Sequence, residues 1–336
     1  MPSPLAEDPR IGLTRARSAL KPSQRRVLGV AAGAVSRLRL ARPLTRLLIR
    51  LRDRWMPTSK HGAFRGYTPT SHDVLVCTYA KSGTNWLLQI VHQIATLGAG
   101  EFDHIHDVAP WPDSLHPTGA TLDDGGHAYA PTGLRVIKTH LEAPHVPYAP
   151  AARYLFVVRD PKDALASAYH FGHSVAHIYV DVRFDAEEFA AICLADRIHF
   201  GSWAEHTASW WPLRARDNVL VITFKELLQD LEAVVRRVEA FVGVELTDEQ
   251  RARVVERSGF AWMKEHDAAF RPPMEPLPGR EPAVMVRTGK RGGSRGLFSP
   301  ETVAALDRFF QSELRRRGSD FPYERLIAGE PLEPTK

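Results

Sequence analysis

Asp73–Leu97, DVLVCTYAKSGTNWLLQIVHQIATL, constrains the fold of this chain more than any other stretch. Val74, Leu75, Val76 and Cys77 form a continuous apolar run without helical spacing, as expected of a strand buried on both faces. Ala80-Lys81-Ser82-Gly83-Thr84 supplies a tight turn with one cation and two hydroxyls. Beyond it, Trp86, Leu87, Ile90, Val91, Ile94 and Leu97 recur at helical spacing, with Thr84 placed to cap the helix. A strand, a short polar loop and a helix N-terminus present backbone N–H groups and the positive end of a dipole to one point in space. Such a point binds anions, phosphate-like groups above all.

The GxxxxGK[ST] phosphate loop is not this loop: here the lysine comes first and the glycine follows two residues later. Other segments bring polar residues to strand ends. Leu134–His140, LRVIKTH, reads as a second buried strand that places Lys138 and His140 on one face at its carboxyl end. In open α/β sheets that end is where ligands bind. A histidine there can take a hydroxyl proton, and a lysine can hold anionic charge. Arg153–Arg159, RYLFVVR, reads as a third strand, followed by Pro161 in the first turn of a helix through Ala164–Phe171. Arg159 offers a planar fork for a phosphate; the plain alternative is pairing with Asp160 or Asp163. Val219–Thr223 reads as a fourth strand, followed by a helix over Lys225–Val242 that stops at Gly243. Pro300–Arg317 reads as an amphipathic helix.

Composition narrows the class. The two cysteines, Cys77 and Cys193, provide neither a disulfide framework nor ligand spacing, so a reducing cytoplasm is the expected setting. His104, His106, His116 and His127 also lack ligand spacing, and no metal site is expected. The net charge of +5 hides an asymmetry: residues 1–60 carry 14 Lys and Arg against 3 Asp and Glu, and the rest carries 30 against 36. The high pI therefore belongs to the N-terminus and does not argue that the body binds nucleic acid. Within residues 28–55, leucines alternate with arginines in a basic amphipathic segment. It suits either docking on the body or peripheral contact with an anionic membrane, although Pro43 interrupts it. Gly98–Gly133 reads as a long surface loop and His266–Met285 as a Pro-rich flap over the substrate.

Four motifs in order resemble those of the cytosolic-type sulfotransferases. TYAKSGTNW (Thr78–Trp86) resembles the family's 5′-phosphosulfate loop, with Ala80 and Asn85 departing from the usual form. KTHL (Lys138–Leu141) resembles the end of its catalytic strand. RDPKDALASAYHF (Arg159–Phe171) resembles its 3′-phosphate motif, with Arg159 and Ser167 on the contacting positions. VRTGKRGG (Val286–Gly293) resembles its late R-K-G-x-x-G motif, with Thr288 where a lysine is usual and Lys290 or Arg291 as substitutes. GSWAEHTASWW (Gly201–Trp211) and SGFAWMK (Ser258–Lys264) also have counterparts there.

The resemblance implies an α/β, P-loop-NTPase-like three-layer fold with a mostly parallel central sheet flanked by helices, over residues 61–330. It implies 3′-phosphoadenosine 5′-phosphosulfate (PAPS) as co-substrate, adenosine 3′,5′-bisphosphate (PAP) as product, and no metal. The partner is a small-molecule acceptor of the alcohol or phenol type. His140 would be the base, with Lys81, Lys138 and Ser167 completing the catalytic set. Lys81, Ser82, Gly83, Thr84, Asn85 and Trp86 would hold the 5′ side; Arg159, Ser167, Arg287, Thr288 and Gly289 the 3′-phosphate; Trp86, Phe224, Ser258 and Phe260 the nucleoside. Thr302-Val303 matches part of the family's homodimer signature. Two rival readings are a nucleotide-dependent phosphotransferase and a non-catalytic nucleotide- or membrane-binding protein acting through residues 1–60.

Overall fold

The computed structural model describes residues 62–114, 118–126, 130–179, 185–195 and 201–332. The basic extension, with its amphipathic segment, and His116 and His127 lie outside the described residues.

Four strands form one parallel sheet in the order β2-β1-β3-β4: β1 (Asp73–Thr78), β2 (Arg135–Thr139), β3 (Arg153–Val158) and β4 (Val219–Thr223). All six residues of β1 are buried, because side chains alternate between two covered faces. Val74 and Val76 point into a core with Leu87, Leu88, Ile90, Val91 and Ile94 of α1 (Thr84–Ala95). Leu75 and Cys77 point into the opposite core, where Trp203 and Trp210 of a helix over Trp203–Trp210 meet Leu306, Phe310 and Leu314 of a helix over Pro300–Arg316. Two apolar layers on one sheet make the expected three-layer α/β fold. Each fully buried aliphatic side chain of α1 contributes about 1.5–3 kcal/mol.

Chain order places the first connection, β1 to β2, on one side of β1, and β3 on the other side. The direction of winding therefore reverses between β1 and β3, and the loops after these two strands border one crevice. Lys81 follows β1, and Arg159 follows β3 directly.

Three elements differ from the sequence reading. The helix expected over Lys225–Val242 is two, Phe224–Gln229 and Leu231–Val242, because Asp230 leaves the helical conformation and its carboxylate caps the second through Ala233 N–H. The segment after it folds into a helix, Asp248–Arg257, opened by a Thr247–Gln250 capping box. The stretch expected as a long surface loop turns inward: a short 3-10 turn at Ile105–Asp107 buries Ile105 and His106.

The Pro-rich flap, His266–Met285, opens with a short 3-10 turn at Asp267–Ala269 and carries no helix or strand beyond it, yet it is tied down at several points. Leu277 N–H donates to the Ile178 carbonyl and Val284 N–H to Ser174 Oγ. Asp267 accepts from Met285 and Val286 N–H. Among the described residues no helix is long and apolar enough to cross a membrane.

Candidate active site

The loop after β1 turns by two left-handed residues, Lys81 (φ 64°) and Gly83 (φ 106°). For a lysine that conformation costs about 1–3 kcal/mol, a strain characteristic of functional turns. Gly83 is required twice over: its φ suits glycine, and a Cβ would lie 3.0 Å from Phe224 Cδ2. Gly83, not Thr84, stands at the N-cap, and no side chain caps α1. Thr84 sits one residue inside, where its hydroxyl bonds Thr78 Oγ1 at 2.6 Å. The left-handed turn displaced the expected cap and left the first-turn N–H groups without a side-chain acceptor, as an anion cradle requires. Ser82 Oγ is buried beneath this turn without a partner in the protein. The Asn85 amide is spent elsewhere, on the Phe270 carbonyl at 3.1 Å.

At the carboxyl end of β2, His140 Nδ1 donates to the Thr78 carbonyl at 2.7 Å, which puts the basic lone pair of the neutral ring on Nε2. Its main-chain N–H donates to Asp113 Oδ2 at 3.0 Å. Burial, then Lys138, pushes its pKa well below the ordinary imidazole value, so the ring is neutral at pH 7. Lys138 is 5 % exposed, and its ammonium stands 3.4 Å from the centre of the Trp111 ring. Burial draws it down to about 7; Asp113 opposes the shift and Lys81 adds to it. Trp111 also takes the His140 ring edge-on at 5.4 Å. Lys81 Nζ lies 4.0 Å from the centre of the Phe171 ring and 3.3 Å from Met285 Sδ. Burial, then Arg159, draws it down to about 7 as well. Two lysines and a neutral histidine thus converge where β1 and β2 end.

Arg159 closes the crevice. Nη1 donates to the Lys81 carbonyl at 2.9 Å, Nη2 to the Lys290 carbonyl at 3.4 Å, and the guanidinium lies 4.1 Å from the centre of the Phe224 ring. Its Nε is buried without a partner. Burial draws its pKa down to about 10, against the pull of Asp163 and Asp160. The alternative pairing with Asp160 or Asp163 does not form. Asp160 caps the helix over Pro161–His177 and pairs with Lys162, while Asp163 accepts from Gly292 N, Ser294 N and Ser294 Oγ at 2.7–3.1 Å. Asp163 thereby fastens the late basic loop to the first turn of that helix, one turn before half-buried Ser167. Arg287 lies beside Gly293, 3.6 Å from the position of an added Cβ, and lowers the pKa of both Arg159 and Lys81. Thr288 is exposed. Arg291 does not stand in for it: its guanidinium lies over Gly329, at the end of the helix Tyr323–Ala328.

Between the two basic clusters stand aromatic rings. Trp86 and Phe224 meet edge to face at 5.9 Å, and Trp86 Nε1 donates to the Ser258 carbonyl at 2.7 Å. Ser258 Oγ is buried without a partner. Gly289 (φ 56°) lies so close to the Phe260 ring that any Cβ would collide with it. Close approach of backbone to ring, in a left-handed conformation, requires glycine there.

The structure therefore gathers Lys81, Ser82, Gly83, Trp86, Lys138, His140, Arg159, Phe224, Ser258, Phe260, Arg287 and Gly289 around one crevice. It turns the side chains of Thr84 and Asn85 away from it. Sequence reasoning had no local signal for Trp111, Asp113, His106, Phe171 or Met285, which reach the lysines or His140 only through tertiary contacts. Among the described residues no group of three or more His, Cys, Asp or Glu is arranged to hold a metal ion.

Residues 71–318 match the family model described as Sulfotransferase domain. The chain is 25% identical over 273 residues to Sulfotransferase 1C2 of Oryctolagus cuniculus, covering 78% of this chain and 90% of that protein. It is 28% identical over 255 residues to Sulfotransferase 1C2 of Homo sapiens (73% and 82% covered) and 26% identical over 248 residues to 3-beta-hydroxysteroid sulfotransferase of Cavia porcellus (72% and 83%). Among solved structures, it resembles mouse sulfotransferase SULT7A1 complexed with PAP at a TM-score of 0.61 and 21% identity, covering 80% of this chain and 92% of that one. It resembles retinol dehydratase in complex with androsterone and PAP at 0.63 and 19%, covering 81% and 87%.

Proposed function

The chain belongs to the sulfotransferase domain family, and on that footing we propose that it transfers the sulfuryl group of PAPS to a hydroxyl or amine of a small-molecule acceptor. One observation carries the reading: Arg159, at the end of β3, grips the Lys81 carbonyl across the crevice while lying on Phe224. One residue thus links the cradle after β1, the late basic loop and the aromatic rings, as a ligand with a phosphate at each end and a base between requires.

The pieces fit such a ligand. Ser82 Oγ, Ser258 Oγ and Arg159 Nε are buried polar atoms without protein partners, and native proteins rarely leave such atoms unsatisfied. PAPS supplies the sulfuryl group on a 5′-phosphate leaving group. His140, its tautomer set by Thr78, takes the acceptor's proton on Nε2 as the acceptor oxygen or nitrogen bonds to sulfur. Lys81 and the first-turn N–H groups of α1 stabilise the charge that develops on the leaving oxygen. Lys138 holds the sulfuryl oxygens. Arg159, Ser167, Arg287 and Gly289 hold the 3′-phosphate, and Trp86, Phe224, Ser258 and Phe260 hold the nucleoside. Steroid and retinoid ligands of the relatives support an apolar acceptor bearing a hydroxyl, and Trp111, Phe171 and Met285 supply apolar surface beside the lysines.

Calorimetry tests the donor. PAP should bind at least a hundredfold more tightly than ATP, and transfer of labelled sulfuryl from PAPS to a panel of phenols, sterols and amines should identify the acceptor. ATP binding stronger than PAP, with Mg²⁺ dependence, would favour the phosphotransferase instead.

A further inference from the structure

His104 and His106, which sequence spacing left without a role, are joined through the His106 main chain, and the His106 ring in turn meets Lys138. His104 Nε2 lies 2.9 Å from the Arg271 carbonyl. A carbonyl only accepts, so Nε2 carries the proton and Nδ1 is the acceptor. That Nδ1 takes the His106 main-chain N–H at 3.2 Å. His106 is held in the opposite tautomer: Nδ1 donates to the Ala109 carbonyl at 3.2 Å, leaving its lone pair on Nε2. Lys138 Nζ stands 3.3 Å from that Nε2. The His106 and Lys138 side chains are buried, and the His106 ring also lies 5.1 Å from Trp111, on whose face the same ammonium sits.

We propose that His106 is a positioning residue for the transfer: its Nε2 lone pair and the Trp111 ring hold the Lys138 ammonium in place beside His140 and favour its charged form over the neutral amine. The inference rests on the proposed sulfuryl transfer, in which Lys138 must be cationic. Without a neutral acceptor, burial and the neighbouring Lys81 would both work to discharge it. Around the pair, Asp113 favours the Lys138 charge, whereas Lys138, His104 and His140 all disfavour a charge on His106. His106 therefore serves as an acceptor and not as a competing cation. If His106 merely filled the core, a ring of the same shape would replace it.

The test compares His106→Phe, which keeps the ring and removes the acceptor, with His106→Gln, which keeps an acceptor at the place of Nε2. In His106→Phe, kcat should fall about tenfold or more with KM for PAPS nearly unchanged, and the alkaline limb of the pH profile should move to lower pH. His106→Gln should recover most of both. In a Lys138→Met background, His106→Phe should cost nothing further. Carbon-13 lysine labelling then reads the Lys138 titration directly in wild type and His106→Gln, and in His106→Phe where it folds, without turnover. An unmoved titration and rate in His106→Phe, or additive losses in the double variant, would overturn the inference. Where His106→Phe does not fold, a Lys138 titration in His106→Gln displaced as far as in His106→Leu would do the same. Absence of sulfuryl transfer by the wild type would instead remove the functional reading beneath it.

Discussion

His140 Nδ1 donates to the carbonyl of Thr78 across 2.7 Å, joining the last residue of β1 to the first residue beyond β2. The bond fixes which ring nitrogen is basic, and it exists only because β1 and β2 pair in parallel with Cys77 opposite Thr139. The carboxyl ends of both strands then open into the same crevice.

Replacing His140 by Ala should lower kcat by roughly 10²–10⁴ and leave PAP affinity within a few-fold of wild type. Steady-state kinetics alongside calorimetry separates the two. A near-normal rate would remove His140 from the role of base.

Gly289→Ala should damage nucleotide binding within the proposed site itself. The new Cβ meets the Phe260 ring, and φ 56° adds strain, about 1–3 kcal/mol in total. The melting temperature should fall and PAP affinity with it. Phe260→Ala in the same chain should restore the melting temperature in part, because the collision is removed while the strained φ remains.

Asp163→Ala should raise KM for PAPS roughly tenfold, about 1.4 kcal/mol, with kcat less affected. The carboxylate accepts from Gly292 N, Ser294 N and Ser294 Oγ. Without it the late loop loses its hold on the helix that carries Ser167. A kcat loss larger than the KM change would place Asp163 closer to the chemistry than this fastening role does.

Protons should move when PAP binds. Burial draws Lys81 and Lys138 down to about 7, against an ordinary value near 10.4. Between these values the unfolded chain holds protons that the folded protein has released. Stability of the ligand-free protein from these groups therefore rises with pH from 7 toward 10, and is lowest below 7, where both buried lysines must charge. A polyanion beside them raises both values again. Calorimetry at pH 8 in two buffers of different ionisation enthalpy should show uptake of up to about two protons, shrinking toward zero at pH 6. Net release at pH 8 would contradict the placement of the polyanion beside these lysines.

Local pattern in the sequence carried the framework of this fold. Four apolar runs marked four strands, and Pro161 and Gly243 marked a helix start and a helix stop, whereas Lys81, His140, Arg159 and Arg287 stood out through the resemblance of the motifs around them. These signals are legible because strand burial and turn chemistry act over a few residues. Where two local signals competed, the reading slipped. Thr84 has the chemistry of a cap, yet the left-handed turn at Gly83 pushed it inside the helix, and Asp230 broke a helix whose apolar spacing ran on.

What no local pattern shows is which strand ends become neighbours. Lys81 and Arg159 are 78 positions apart, and only the reversal of winding between β1 and β3 brings one onto the other's carbonyl. His106 and Lys138 are separated by 32, and they meet because burying Ile105 folds a polar-looking loop against β2. Residue types and their order are thus properties of the chain. The lowered lysine pKa values arise from burial, and the tautomers and the pairing of ammonium with Trp111 from tertiary contacts; only the packed structure imposes either.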